Sequence, residues 1–161
     1  MEAVVELNNL RVEYRARSSK EAVKVALQGL TLRVGQGEVF GFLGPNGAGK
    51  TTTMNVLLGF VNATSGAAKI FGVNVRDPIS RQRIGYLPEL TYYYKFLTTE
   101  EIFRFYAKIF GLTASETDRR IAELIKLVEL EHARNRPIKT YSKGMQQRVG
   151  IAQALINNPD L

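Results

Sequence analysis

The sequence predicts an α/β fold built around a phosphate-binding loop, with an antiparallel β layer before the loop and a helical subdomain after it. Three observations carry that prediction. Apolar and polar residues alternate through Val4–Leu7, Leu10–Tyr14 and Leu27–Val34, as they do in half-buried strands. Gly44-Pro45-Asn46-Gly47-Ala48-Gly49-Lys50-Thr51-Thr52 satisfies the G-x-x-x-x-G-K-[ST] pattern. From Thr98 onward the apolar residues return at helical spacing.

Composition sets the bounds. A chain of 161 residues with 45% hydrophobic content is long enough for one domain with its own core. No apolar run approaches the length of a membrane span; the richest, Met54–Val61, is short and contains Asn55 and Gly59. The absence of cysteine excludes disulfides and thiolate metal sites. A formal charge of +7 suits an anionic partner. Its one cluster, Arg11, Arg15, Arg17, Lys20 and Lys24 with Glu13 and Glu21, comes with no nucleic-acid motif and reads as a solvated face.

Taken in order, the N-terminal strands end in a Gly35-Gln36-Gly37 turn, and Arg15–Val25 between them is a charged loop or short helix. Glu38–Leu43 is short and apolar enough for a buried strand, and Thr53–Leu58 reads as helix, which gives the loop the strand and helix flanks it needs. A turn at Thr64-Ser65-Gly66 precedes a strand over Ala67–Phe71. Asp77-Pro78 breaks the chain before a further strand over Arg83–Leu87, which Pro88-Glu89 ends.

The loop's residue types follow from its chemistry. Gly44, Gly47 and Gly49 let the backbone turn tightly and bring N–H groups against phosphate oxygens, with the N-terminus of the next helix adding attraction. Asn46 and Ala48 complete the cradle. Lys50 is a mobile cation for the β- and γ-phosphates, the Thr51 hydroxyl is a hard-oxygen ligand for Mg²⁺, and Thr52 is an additional phosphate donor. Tyr14 offers an aromatic face that can stack on an adenine ring, although its strand position alone fits an ordinary surface tyrosine.

Thr98-Thr99-Glu100-Glu101 is a capping box that opens a helix carrying Ile102, Phe103, Phe105, Tyr106, Ile109 and Phe110, expected as core, until Gly111 stops it. A second helix begins near Ser115 and carries Ile121, Leu124, Ile125 and Val128 on one face. His132, the sole histidine, has no partner ligand nearby and reads as a surface residue. Tyr141-Ser142-Lys143-Gly144-Met145-Gln146-Gln147-Arg148 places Ser142 as an N-cap before a further helix, a second anion-seeking helix terminus.

The ordered pair of stretches, Gly44–Thr52 and Tyr141–Arg148, resembles the ATP-binding cassette family, the nucleotide-binding domains of ABC transporters. The resemblance runs over essentially the whole chain, read as a single domain over 1–161 with a helical subdomain at about 98–157. Tyr141–Met145 is similar to the family's L-S-G-G-Q signature, with Tyr for Leu, Lys143 for Gly and Met145 for Gln. This Tyr-Ser-Lys-Gly-Met form is similar to that of exporter-like members.

The resemblance implies ATP and Mg²⁺ as cofactors. It implies pairing with a second such domain, as a head-to-tail homodimer in which Ser142 and Gly144 reach the γ-phosphate over a partner's Lys50. It implies an integral membrane permease as partner, and a place on the cytoplasmic face of the membrane reached through it. Tyr14 falls where the family stacks adenine. Glu89 falls where most members carry the glutamine that touches Mg²⁺ and the attacking water, so Glu89 is a catalytic and metal candidate beside Thr51. Tyr92, Tyr93 and Tyr94, within Leu90–Leu97, would face the permease or pack beneath the helical subdomain.

Asn157-Asn158-Pro159-Asp160-Leu161 resembles the run that precedes the family's Walker B strand. The Walker B carboxylates and the switch histidine are not among these residues, nor are two strands of the family's core sheet. The 161 residues are therefore expected to bind ATP without hydrolysing it at a useful rate. They are also expected to leave backbone unpaired and apolar faces uncovered, an aggregation hazard. Two other function classes compete with an export ATPase: a soluble ATPase of this type acting on nucleic acid or ribosomes, and a non-catalytic remnant. The compact helical segment between loop and signature disfavours the nucleic-acid branch of the first, its ribosome-associated branch stays open, and no nucleic-acid partner is expected.

Overall fold

The structure, a computed structural model, describes residues 2–14, 23–89 and 91–161. Most of the basic cluster, including Arg15, Arg17 and Lys20, and also Leu90, lie outside the described residues. The chain divides into two compact units, one ending at Arg81 and one beginning at Gln82.

The first unit is built on β1 (Ala3–Tyr14), β2 (Lys24–Gly35), β3 (Ser65–Ile70) and β4 (Val73–Asn74), in the spatial order β2-β1-β3-β4. Each neighbouring pair is antiparallel, so the predicted β layer is present. The register places Leu7 opposite Leu32 and Val12 opposite Leu27, then Val5 opposite Ile70 and Leu7 opposite Ala68. These pairings gather Val5, Leu7, Leu10, Val12, Leu27, Ala68 and Ile70 into a buried face, which α1 (Lys50–Leu57) joins through Thr53 and Val56.

The two predicted N-terminal strands are one strand, β1. Asn9 accommodates the irregularity between them at φ 46°, its N–H donating to Thr31 Oγ1 at 3.0 Å. Asparagine is among the few residues that tolerate this left-handed geometry, which marks a bulge rather than an end.

The segment Glu38–Leu43, expected as a buried strand, is not one: it carries no ladder, and Val39 and Leu43 are almost fully exposed. A strand exists by its pairing, and among the described residues of this unit no strand runs beside it. Apolar character alone therefore left this segment extended and unpaired.

The second unit is helical: α2 (Thr99–Ile109), α3 (Ala114–Leu127) and α4 (Lys143–Ala154), with short 3₁₀ turns at Glu131–Ala133 and Ile138–Thr140. Both long amphipathic helices start in a capping box. Thr98 accepts from Glu101 N–H while Glu101 reaches back to the Thr98 N–H at 2.8 Å, and Thr113 with Glu116 repeats the device at 2.9 Å. The core joins Ile102, Phe103 and Ala107 of α2, Ile121, Leu124 and Ile125 of α3, and Val149 and Ala152 of α4.

Phe105, Ile109 and Phe110, expected as core, are exposed. The burial stripe of α2 runs through residues 102, 103 and 107, and residues 105 and 109, one turn apart, lie on the other face. His132 is exposed, as expected.

Arg83–Leu87 is likewise extended without being a strand, yet it is firmly held within its unit. Gly85 N–H donates to the Leu161 carbonyl at 2.8 Å, Asp160 N–H donates to the Arg83 carbonyl at 2.9 Å, and Asn157 Nδ2 donates to the carbonyls of Gln82 and Ile84. Among the described residues no helix is long and apolar enough to cross a membrane.

Candidate functional site

The phosphate loop sits between the unpaired Glu38–Leu43 segment and α1. Gly44, Asn46, Gly47 and Ala48 are exposed, and the loop closes on itself where Ala48 N–H donates to the Pro45 carbonyl at 3.2 Å. Gly49 is the N-cap of α1 at φ 90° and has no side chain with which to cap it. The first-turn N–H groups are therefore not satisfied by a side-chain cap, and the helix terminus has an unopposed positive end.

Gly49 is also the point where the loop meets the sheet. A Cβ there would stand 2.4 Å from Leu27 Cδ2 and 2.9 Å from the Ala26 carbonyl oxygen of β2. Only glycine meets both constraints, the left-handed φ and the close backbone approach. The loop's position on the β layer is thus set by a residue type legible in the sequence.

Lys50 folds back across the loop, its Nζ donating to the carbonyls of Gly44 at 2.6 Å and Pro45 at 2.9 Å. Its ammonium is thereby held against the loop's own carbonyls, at an exposed position. Thr53, buried inside α1, donates its hydroxyl to the Gly49 carbonyl at 3.0 Å and stiffens the first turn. Thr51 leaves its hydroxyl exposed and Thr52 is half-buried.

Tyr14, at the end of β1, is brought to this site: its hydroxyl lies 3.5 Å from Thr52 Oγ1, at the limit of a hydrogen bond, with its ring partly exposed. A strand residue and a helix residue 38 positions apart thus meet beside the phosphate cradle.

In the second unit the signature turn is an N-terminal cap. Ser142 is extended at φ −64° and ψ 162°, and its Oγ accepts from Met145 N–H at 3.2 Å. Ser142 and Gly144 are both exposed at the start of α4. Beneath them Tyr141 is buried, with its hydroxyl 2.7 Å from Thr99 Oγ1 and 2.7 Å from the Ala133 carbonyl.

Leu87, Thr91 and Tyr93 lie against α4. A Cβ on Gly150 would approach Leu87 Cδ1 to 2.8 Å and Thr91 Cγ2 to 3.3 Å, and Tyr93 donates its hydroxyl to Gln153 Oε1 at 3.0 Å. Burial pushes the Tyr93 phenol up to about 12. Glu89, Tyr92 and Tyr94 are exposed. Of the three tyrosines, then, the middle one packs within the helical unit and the outer two face solvent.

Sequence reasoning missed the Thr113 capping box, whose T-x-x-E pattern was readable. It also missed the Tyr141 and Tyr93 hydroxyl partners, for which no local signal exists, since Thr99 lies 42 residues from Tyr141 and Gln153 lies 60 from Tyr93.

A glycine-rich turn seated on a β layer, a lysine curled over it and a helix N-terminus without a side-chain cap define a P-loop nucleotide-binding protein. The model of the ABC transporter family matches residues 27–161, and the chain belongs to that family. The protein is 45% identical to an uncharacterized ABC transporter ATP-binding protein of Nostoc sp., over 99% of this chain and 48% of that protein. It is 35% identical to the Nod factor export ATP-binding protein I of Cupriavidus pinatubonensis, over 99% of this chain and 47% of that one. Among solved structures it is similar to the dimeric post-hydrolysis state of the ATP-binding cassette MJ0796 bound to ADP and Pi. That likeness has a TM-score of 0.79 and 30% identity, and covers 96% of this chain and 70% of the other. The chain spans about half the length of the curated relatives it matches.

Proposed function

We propose that the chain is the ATP-binding part of an ABC transporter ATPase subunit that couples ATP binding and hydrolysis to export through a separate membrane permease. The observation that carries this reading is the loop of Gly44–Thr52, with Lys50 held across it and no side chain capping α1. Relatives named for export give the direction. The two units together form one nucleotide-binding domain, which works at the cytoplasmic face of the membrane through the permease.

In this reading the N–H groups of Gly47, Gly49, Lys50 and Thr51 receive the phosphate oxygens, and Asn46 and Ala48 shape the turn. Lys50 exchanges its carbonyl partners for the β- and γ-phosphates. That exchange is favoured because a phosphate carries a full charge where a carbonyl carries a dipole. Tyr14 supports the adenine ring while its hydroxyl stays near Thr52.

Mg²⁺ takes few protein oxygens beyond those of the phosphates and water. The exposed Thr51 hydroxyl in the first turn of α1 fits that demand, and Glu89 supplies a carboxylate for the ion and the attacking water. Among the described residues no three histidines, cysteines or carboxylates gather into a metal-holding cluster. When bound, Mg²⁺ neutralises charge that develops on the transferring phosphoryl group. Residues 1–161 by themselves bind nucleotide without hydrolysing it at a useful rate, since Glu89 is the one carboxylate this reading assigns to the water.

Two copies pair head to tail, so that Ser142 and Gly144 of one stand over the γ-phosphate on Lys50 of the other. The test mixes full-length Lys50→Ala and Ser142→Arg subunits, neither of which associates on ATP by itself. The mixture keeps one intact site, so ATP-dependent association followed by sedimentation returns on mixing. Failure of the wild-type protein to bind ATP, or association of either variant alone at wild-type ATP concentrations, overturns the reading.

A further inference from the structure

The turn that presents Ser142 and Gly144 has one buried side chain, Tyr141, where the related signature carries leucine. Its ring packs in the helical core and is 6% exposed, yet its hydroxyl is not a stray polar group. Tyr141 O–H donates to the Ala133 carbonyl at 2.7 Å and lies 2.7 Å from the Thr99 hydroxyl. With the tyrosine proton committed to Ala133, Thr99 is the donor in the second bond. The result is a closed chain, from the Thr99 hydroxyl to the Tyr141 hydroxyl to the Ala133 carbonyl, in which every proton has a buried acceptor.

The elements joined in this way are informative. Thr99 is the first residue of α2, Ala133 closes a 3₁₀ turn, and Tyr141 immediately precedes the N-cap of α4. Around Tyr141 the backbone is fixed by two further bonds, Tyr141 N–H to the Ile138 carbonyl at 2.9 Å and Gln146 Nε2 to the Tyr141 carbonyl at 3.3 Å. Ser142, Lys143 and Gly144 are themselves exposed, while Met145 packs against the helical core and Val149 and Ala152 of α4 lie within it. Tyr141 is thus the buried anchor on the N-terminal side of the turn, and α4 supplies the one that follows it. A leucine would fill the apolar part of that space and leave both the Thr99 hydroxyl and the Ala133 carbonyl without this partner.

We propose that Tyr141 and Thr99 are a matched pair of positioning residues for the ATP sandwich: their linked hydroxyls fix the Ser142–Gly144 turn at the height needed to reach a partner's nucleotide. This rests on the head-to-tail reading above. Neither residue touches nucleotide; both act through Ser142 and Gly144. A tyrosine at this position of the signature then requires a hydroxyl at the start of α2.

The test uses the full-length protein and three variants, Tyr141→Phe, Thr99→Val and Thr99→Ser. Two readouts are taken: binding of a fluorescent ATP analogue to the monomer, and the ATP concentration that drives association. Loss of the hydroxyl in Tyr141→Phe or Thr99→Val weakens ATP-driven association by about tenfold, a change equal to one lost buried hydrogen bond. Analogue binding at the same subunit's Lys50 stays within about twofold. Thr99→Ser, which keeps the hydroxyl, restores association.

A folded Tyr141→Phe protein that associates like the wild type overturns the proposal, and so does a Thr99→Ser protein that behaves like Thr99→Val. If Tyr141→Phe fails to fold, the comparison of valine with serine at 99 decides alone. Successful rescue in the mixed Lys50→Ala and Ser142→Arg experiment shows separately that the sandwich itself stands.

Discussion

Replacing Gly49 with alanine tests whether the phosphate loop is held by steric contact with the sheet, and Gly47→Ala is its internal control. Both glycines have left-handed φ, 90° and 87°, so an added Cβ meets a similar backbone penalty of about 1–2 kcal/mol at each. At Gly47 nothing lies within 4 Å of the new atom. At Gly49 the Cβ falls 2.4 Å from Leu27 Cδ2 and 2.9 Å from a backbone oxygen of β2, a strand that cannot yield without disturbing its ladder with β1.

Overpacking of that kind costs about 1–3 kcal/mol, so Gly49→Ala is expected to lose about 2–5 kcal/mol against about 1–2 for Gly47→Ala. Urea unfolding of the full-length protein measures the difference, and ATP binding should fall with the displaced helix terminus at Gly49. Equal losses at the two positions would refute the claim that contact with β2 fixes the loop.

The helix caps are independently testable. Thr98→Ala and Thr113→Ala each remove one capping box and are expected to cost about 1 kcal/mol, a fall in Tm of about 2–4 °C by calorimetry. At Gly150, valine drives side-chain atoms into Leu87 and Thr91, and a loss of about 1–3 kcal/mol in urea unfolding is expected. Glu100 bonds Arg134 at 2.5 Å and Arg104 at 2.7 Å, contacts that hold its carboxyl below the usual carboxylate range. Its contribution is therefore complete above the unfolded pKa and is lost as pH falls through the lower folded value. The stability difference between wild type and Glu100→Gln should shrink on acidification below about pH 4.3 and stay level from there to neutrality.

What was legible in the sequence is the chemistry that acts over a few residues. The phosphate loop, the Thr98 capping box and the Ser142 cap each depend on neighbours within six positions, and each has the geometry its pattern implies. Pairing was not legible. Glu38–Leu43 has the composition of a buried strand, but strand formation is a property of two segments, and Val39 and Leu43 stand in solvent.

The same holds for faces. Phe105 and Ile109 are as apolar as Ile102 and Phe103, and only the packing partners of α2 decide which pair is inside. Tyr14 lies between the two cases: its aromatic character was visible, but its approach to Thr52 required β1 to run unbroken through Asn9. The hydroxyl chain through Tyr141 was hidden for the reason strand pairing was, since its members lie far apart along the chain.

The central claim is that Gly44–Thr52 holds ATP through Lys50. Calorimetric titration of the full-length protein with ATP and Mg²⁺, wild type beside Lys50→Ala, tests it most directly. Saturable binding by the wild type, weakened at least about tenfold in the variant by loss of a charge-assisted contact, is the result predicted. Equal affinity in the two proteins, or no binding by a folded wild type, would contradict it.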